Sequence, residues 1–448
     1  MSSAIARAGR PPSGATYPRS SWAAGTERHR PVVLASLDWI RPGDPRTGLG
    51  IASIASSLRH AEVAVTIVGD AVNRPGFSAD AYISRVVDAL QCAGPNAICG
   101  IAAFVWNEPE VVRLIEEVRA NTDATVVMGG PQVSYVGAGG LESLYPSADF
   151  FVRGHGESAM VALATGADLD GLGVHPARTV DRGLRSDLDL GNLPSPHLDG
   201  TLPIGECVRW ETQRGCPFAC NFCQHREPGN RLKNRNLAED RVLAEAHTFA
   251  AASVRRISVL DPIFHTKRDR AVRLLNEFRS LRLSAELSLQ CRFELVDGAF
   301  LDAMAGLDVV LEFGLQTIHA DEGRAVNRPN KIDRAEAVIG DLHRRGIPFE
   351  VSLIYGLPLQ TLDSFRRSVD WCLDQGVPRV RAWPLMLLRG TPLFEQRARW
   401  GFVESTGDRI PIVLESHTFT QTEHGEMARI ADELNGAAPS ERLEAVAS

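Results

Sequence analysis

Short apolar runs recur along this chain at intervals that leave room for one helix between them. Residues 31–37, 63–68, 97–104, 124–128 and 150–153 are mostly apolar and show no strict polar alternation. Runs of that length read as strands buried on both faces. Residues 48–59 and 110–120, which fall between them, read as helices. Strands alternating with helices imply a parallel, doubly wound α/β sheet over 31–165. Residues 166–205, rich in Gly, Asp and Pro, read as an interdomain linker. The alternation then resumes, with strands expected at 207–213, 256–260, 285–290, 309–313, 349–355 and 380–386. Six β/α units make an open, partial (β/α)6 barrel over 206–400. A C-terminal extension, 401–448, holds a helix near 422–434 that closes the open side of the barrel. In both architectures, ligands and chemistry sit on the loops that follow the strands.

Composition narrows the class. The 448 residues are 44% hydrophobic and 23% charged, ordinary for a globular protein. No apolar run reaches 18 residues, so no membrane span is expected. A net charge of −7 gives no nucleic-acid footprint. Residues 1–30 mix arginines with Pro, Ser, Gly and Ala, which reads as a disordered tail without the apolar core of a secretory signal. Eight cysteines without such a signal point to a reducing cytoplasm. Most of Cys92, Cys99, Cys207, Cys291 and Cys372 read as small core residues.

The other three cysteines change the picture. Cys216, Cys220 and Cys223 fall inside eight residues with the spacing C-x3-C-x2-C, and Gly215 and Pro217 force a loop there. Three thiolates on one short loop suit a soft metal centre. A cubane cluster normally takes four cysteines, so three leave one iron open. The alternative is a zinc knuckle with His225 as fourth ligand.

This loop, with Phe222 just before the third cysteine, resembles the cluster loop of radical S-adenosylmethionine (radical SAM) enzymes. The resemblance implies a [4Fe–4S] cluster whose open iron chelates S-adenosylmethionine and reduces it to a 5′-deoxyadenosyl radical. An electron donor such as flavodoxin or ferredoxin is implied with it. Upstream, Gly48-Leu-Gly, Trp106-Asn107, Gly129-Gly-Pro131 and Gly154-x-Gly-Glu157 are similar to the cobalamin-binding domain found before many radical SAM modules. That implies either bound cobalamin or the same fold without the corrinoid. The chain has no Asp-x-His-x-x-Gly stretch to offer a lower axial histidine.

Carried over by position, Gly356 of Gly-Leu-Pro is expected at the adenine, Arg292 at the methionyl carboxylate, and Gln316 near the ribose and methionyl parts. Glu312, Asp261 and Tyr355 are candidate acid–base groups, because polar side chains at barrel strand ends can meet a substrate. His265 and His225 are weaker candidates. Two reactions resemble this layout. One is radical 1,2-diol dehydration of an aminoglycoside such as paromamine, completed by a separate NADPH-dependent reductase. The other is cobalamin-dependent radical methylation. The short segment after the last barrel strand, and the acidic strand ends at Asp261, Glu312 and Glu350, favour dehydration of an aminosugar in antibiotic biosynthesis. A non-catalytic metal-binding module is the remaining reading.

Overall fold

The computed structural model describes residues 29–41, 44, 47–186, 188–225 and 235–436. Most of the tail expected at 1–30, and the end of the chain beyond 436, lie outside them.

The first sheet contains β1 (Val32–Asp38), β2 (Val65–Ala71), β3 (Ile98–Ala102), β4 (Thr125–Gly129), β5 (Phe150–Val152) and β6 (Val174–Pro176), in the order β2-β1-β3-β4-β5-β6. The first five are parallel and β6 pairs antiparallel with β5. β6 falls within the stretch read as linker, and three residues (Val-His-Pro) are too short for a periodic signal. Helices α1 (Leu49–His60), α2 (Ala79–Ala93), α3 (Glu108–Asn121) and α4 (Glu157–Thr165) cover the two faces. β1 shows why its sequence is apolar throughout. Val33, Ala35 and Leu37 pack into the core with α2 and α3, while Val32 and Leu34 pack into the core with α1 and α4.

The second sheet holds β7 (Cys207–Trp210), β8 (Arg256–Val259), β9 (Glu286–Cys291), β10 (Val309–Gln316), β11 (Phe349–Tyr355) and β12 (Val380–Pro384). They lie side by side in chain order, all parallel, and the sheet does not close, so it is a six-stranded partial barrel. Alternation is strict on β10 and β11. Leu311, Phe313, Leu315, Val351, Leu353 and Tyr355 enter the core under the helices. Glu312, Gly314, Gln316, Glu350 and Ser352 are half-buried on the other face, which is the lumen. The C-terminal helix α5 (Gln421–Asn435) packs on β12. Its Asn435 side chain accepts from the Ala382 N–H and donates to the Ala382 carbonyl, as a neighbouring strand would. That covers an edge which would otherwise present unpaired backbone.

Candidate functional site

The cysteine loop has a braced stem. Gln213 and Arg214 pair antiparallel with Asn236 and Arg235, and Gly215 turns the chain with φ of 91°. Beneath the stem lies Asp261, fully buried. It accepts hydrogen bonds from Thr212 N (2.7 Å), Thr212 Oγ1 (2.6 Å) and Gln213 N (3.1 Å). Burial pushes its carboxyl up to about 7, against those bonds and the nearby Arg270. Asp261 was expected as an acid–base group. The structure places it buried beneath the cysteine loop, where its bonds to Thr212 and Gln213 brace the stem.

The loop is held on two sides. Asn221 N donates to Val326 O (2.9 Å), Asn221 Nδ2 to Ala325 O (3.1 Å), and Asn327 Nδ2 to Ala219 O (2.8 Å). On the other side Leu393 N donates to Asn221 O (3.1 Å) and Gln224 Nε2 to Arg389 O (2.9 Å). Phe222 packs on the barrel core. Burial raises the Cys216 thiol and pushes Cys223 up to about 12, so thiolates there need the field of a cation. Among the described residues, no group of three or more His, Cys, Asp or Glu side chains is placed to hold one metal ion. His225 contributes its backbone N–H to Cys223 Sγ (3.3 Å).

Beside Cys220 lie two buried atoms without partners: Nε of Arg328 and Oε1 of Gln316. Arg328 is 8% exposed; its Nη1 stands 3.7 Å from Cys220 Sγ and its Nη2 donates to Gly314 O. Gln316 has φ of 71°, unusual for a residue with a side chain, and a Cβ on Gly314 would stand 2.6 Å from Gln316 Nε2. A cationic donor and a neutral acceptor, both unsatisfied, match the carboxylate and ammonium of an amino acid. The S-adenosylmethionine head fits these two residues.

Arg292 is 5% exposed, with its guanidinium 3.8 Å from the ring centroid of Phe218 in the cysteine loop and its Nε 3.2 Å from Glu294. His265 is buried against Phe300, with Nε2 3.3 Å from the Arg292 carbonyl, and burial pushes it down to about 4. It is a packing residue. Glu312 faces the lumen, accepts from Ser288 Oγ and lies in register with Glu350. Burial, then the Glu312 charge, raises the Glu350 pKa.

Tyr355 and Gly356 sit at the end of β11. Tyr355 is on the helix side of β11, its ring 5.8 Å from Phe365 and 5.2 Å from His424, so it is not a lumen acid or base. The Gly356 N–H donates to Gln360 Oε1 (2.7 Å), and a Cβ on it would stand 3.6 Å from Leu385 Cβ and 3.7 Å from Val413 O.

In the first sheet the strand order reverses between β1 and β3, where doubly wound folds bind ligands. Asn107 ties the two ends together, donating to Leu37 O (2.9 Å) and Ala102 O (3.1 Å). Gly130, with φ of 91°, lies so close to β3 that a Cβ would stand 2.6 Å from Ala103 O. Backbone of β4's turn is thereby packed directly on the end of β3 at this switch point.

The ligand edges of the two sheets face each other. Arg209, Arg214 and Arg389 of the barrel and Arg409 of the C-terminal extension pair with Asp44, Glu157, Glu108 and Glu110 of the first unit. In every pair the cation is on the barrel side. Arg214 and Arg389 were not singled out in the sequence, nor was Arg328; arginines in loops carry no periodic signal.

Residues 210–372 match the model of the radical SAM superfamily and residues 43–164 that of the B12 binding domain. The chain is 27% identical over 331 residues to the cobalamin-dependent radical SAM methyltransferase TokK of Streptomyces tokunonensis, covering 66% of this chain and 48% of that protein. It is 26% identical to the 2-(S-pantetheinyl)-carbapenam-3-carboxylate methyltransferase of Streptantibioticus cattleyicolor, again covering 66% and 48%. The chain thus spans about half the length of the curated relatives it matches. Its fold is similar to that of the radical S-adenosylmethionine methyltransferase TsrM from Kitasatospora setae, with a TM-score of 0.69 at 16% identity over 92% of this chain and 90% of that one.

Proposed function

The chain belongs to the radical SAM superfamily, with a B12-binding domain ahead of its radical SAM domain, and from that premise we propose that it methylates a small-molecule substrate with the help of cobalamin. A [4Fe–4S] cluster, S-adenosylmethionine and cobalamin are its cofactors. When bound, the cluster supplies the electron that opens S-adenosylmethionine and the corrinoid carries the methyl group.

The chain's own residues prepare that chemistry. In this reading Cys216, Cys220 and Cys223 hold the cluster. Arg328 would take the methionyl carboxylate and Gln316 the ammonium, which would orient S-adenosylmethionine against the cysteine loop. Arg292, stacked on Phe218, keeps the loop from swinging outward. Glu312 and Ser288 present a polar lumen wall to the substrate. The groove beside Gly130 and Asn107 receives the corrinoid. The observation that carries the reading is the opposition of the two ligand edges, pinned by Arg214–Glu157 (2.7 Å) and Arg389–Glu108 (2.7 Å). A group carried in one groove can then meet a substrate in the other.

Dehydration of an aminosugar is left with weaker support. Two of its three proposed acid–base groups, Asp261 and Tyr355, do not face the lumen. The length argument also weakens, because the similarly sized fold neighbour is a methyltransferase by name. The test is mass spectrometry of test substrates after incubation with S-adenosylmethionine and reductant, with and without cobalamin. Paromamine, tryptophan and a carbapenam are the first to try. A product heavier by one methylene, only with cobalamin, is expected. A product lighter by one water without it would overturn the reading.

A further inference from the structure

We propose that the loop 388–393 is a positioning relay through which the B12-binding domain sets the geometry of the cysteine loop. The loop follows β12 and touches both units. Toward the B12-binding domain, Arg389 makes a two-pronged pair with Glu108, Nη1–Oε1 at 2.7 Å and Nη2–Oε2 at 3.1 Å. Glu108 is itself fixed, accepting from Gln132 Nε2 at 2.7 Å and from the Tyr145 hydroxyl at 2.5 Å. Next to it, Gly390 lies directly on Tyr135. A Cβ there would stand 2.1 Å from Tyr135 O, and φ is 73°, so only glycine allows this approach.

Toward the barrel, the same six residues grip the cysteine loop. Gln224, adjacent to Cys223, donates to the Arg389 carbonyl, and Leu393 N donates to the carbonyl of Asn221, adjacent to Cys220. The other end of the cysteine loop is tied independently. Arg214, two residues before Cys216, pairs with Glu157, whose Oε1 also accepts from Ser53 Oγ at 2.9 Å. Both ends of the cysteine loop are thus fastened to carboxylates of the other domain. A shift of the B12-binding domain must move the sulfurs, and the distance between the two cofactors becomes a property of these pairs. Glu108, Arg389 and Gly390 are positioning residues that touch no reacting atom.

The inference rests on the reading that Cys216, Cys220 and Cys223 hold the cluster. Iron analysis of the unaltered reconstituted protein tests that reading by itself, since an iron-free protein would sink it. The relay is tested by hydrogen exchange of the same full-length protein, followed over residues 214–225. In Arg389→Gln, amides of that segment should exchange about tenfold faster, the loss of one charge-assisted pair. Gly390→Ala should do the same. Arg389→Lys, which keeps a cation opposite Glu108, should restore most of the protection. The reduced cluster's electron paramagnetic resonance line shape should change in Arg389→Gln and return toward the parent in Arg389→Lys. Faster exchange confined to 105–135, with 214–225 and the line shape unchanged, would overturn the relay.

Discussion

The two ligand edges of this molecule are built from opposite materials. The barrel edge is made of side chains: three cysteines, Arg292, Gln316 and Arg328, with Asp261 buried beneath as a brace. The edge of the B12-binding domain is held mainly by contacts to backbone: Gly130 is laid on Ala103, and the Asn107 side chain staples the carbonyls of Leu37 and Ala102. Its charged groups, Asp44, Glu108, Glu110 and Glu157, are spent on arginines of the barrel and the C-terminal extension. An edge that must ligate a metal and grip a zwitterion needs charge and soft donors.

Each side of that contrast can be broken separately. The largest effect is expected at the cysteines. Cys220→Ala should reduce iron from about four per chain to near none, measured after anaerobic reconstitution, because a cubane with two protein ligands is not retained. Cobalamin binding should survive, since the corrinoid edge does not depend on those sulfurs. Next is the backbone edge. Gly130→Ala forces a Cβ against Ala103 O at a positive φ, and should destabilise the first unit by about 2–4 kcal/mol in denaturant unfolding while cobalamin retention falls. Iron content should change little.

Arg328→Gln removes a cation from beside Cys220 and leaves the cluster ligands in place. S-adenosylmethionine binding should weaken by about 10–100-fold in a titration, the worth of one charge-assisted bond. Unchanged affinity would remove Arg328 from the site.

A pH effect sharpens the contact between the edges. Burial alone would raise the Glu157 pKa, but the Arg214 charge overrides it and holds the carboxyl at about 2, below its ordinary 4.5. A carboxylate depressed in the folded state stabilises above its unfolded pKa and loses that contribution as pH falls. Protection of the Arg214 segment should therefore decline between pH 4.5 and about 2, and Glu157→Gln should flatten that decline. The smallest effect is expected at Tyr355. Phenylalanine there should leave S-adenosylmethionine cleavage unchanged, because the ring points toward Phe365 and His424.

How legible each edge was in the sequence follows from the same contrast. Cysteine spacing is a local signal, and it marked the barrel edge before any fold was known. Strand texture located both sheets, because a strand buried on two faces, such as β1, is apolar at every position. Orientation was legible too, had parity been applied: Tyr355 shares its parity on β11 with Val351 and Leu353, not with Glu350 and Ser352. Asp261 before Pro262 read as a strand end with a free carboxylate, because its donors, the amides at 212 and 213, are about fifty residues away. Arg328, Arg214 and Arg389 left no mark, since an arginine gains its role only from what the fold brings against it. Long-range pairing of polar groups is the part of this site that composition and periodicity do not encode.

The central claim is that both edges act in one reaction, and the most direct measurement counts what S-adenosylmethionine becomes. The protein, reconstituted with iron and sulfide, is incubated with S-adenosylmethionine and reductant, with and without bound cobalamin, and both nucleoside products are quantified. Methyl transfer predicts S-adenosylhomocysteine only when cobalamin is bound, in an amount that follows corrinoid content and vanishes in Gly130→Ala. S-adenosylhomocysteine absent under both conditions, with 5′-deoxyadenosine and methionine formed equally in each, would contradict it.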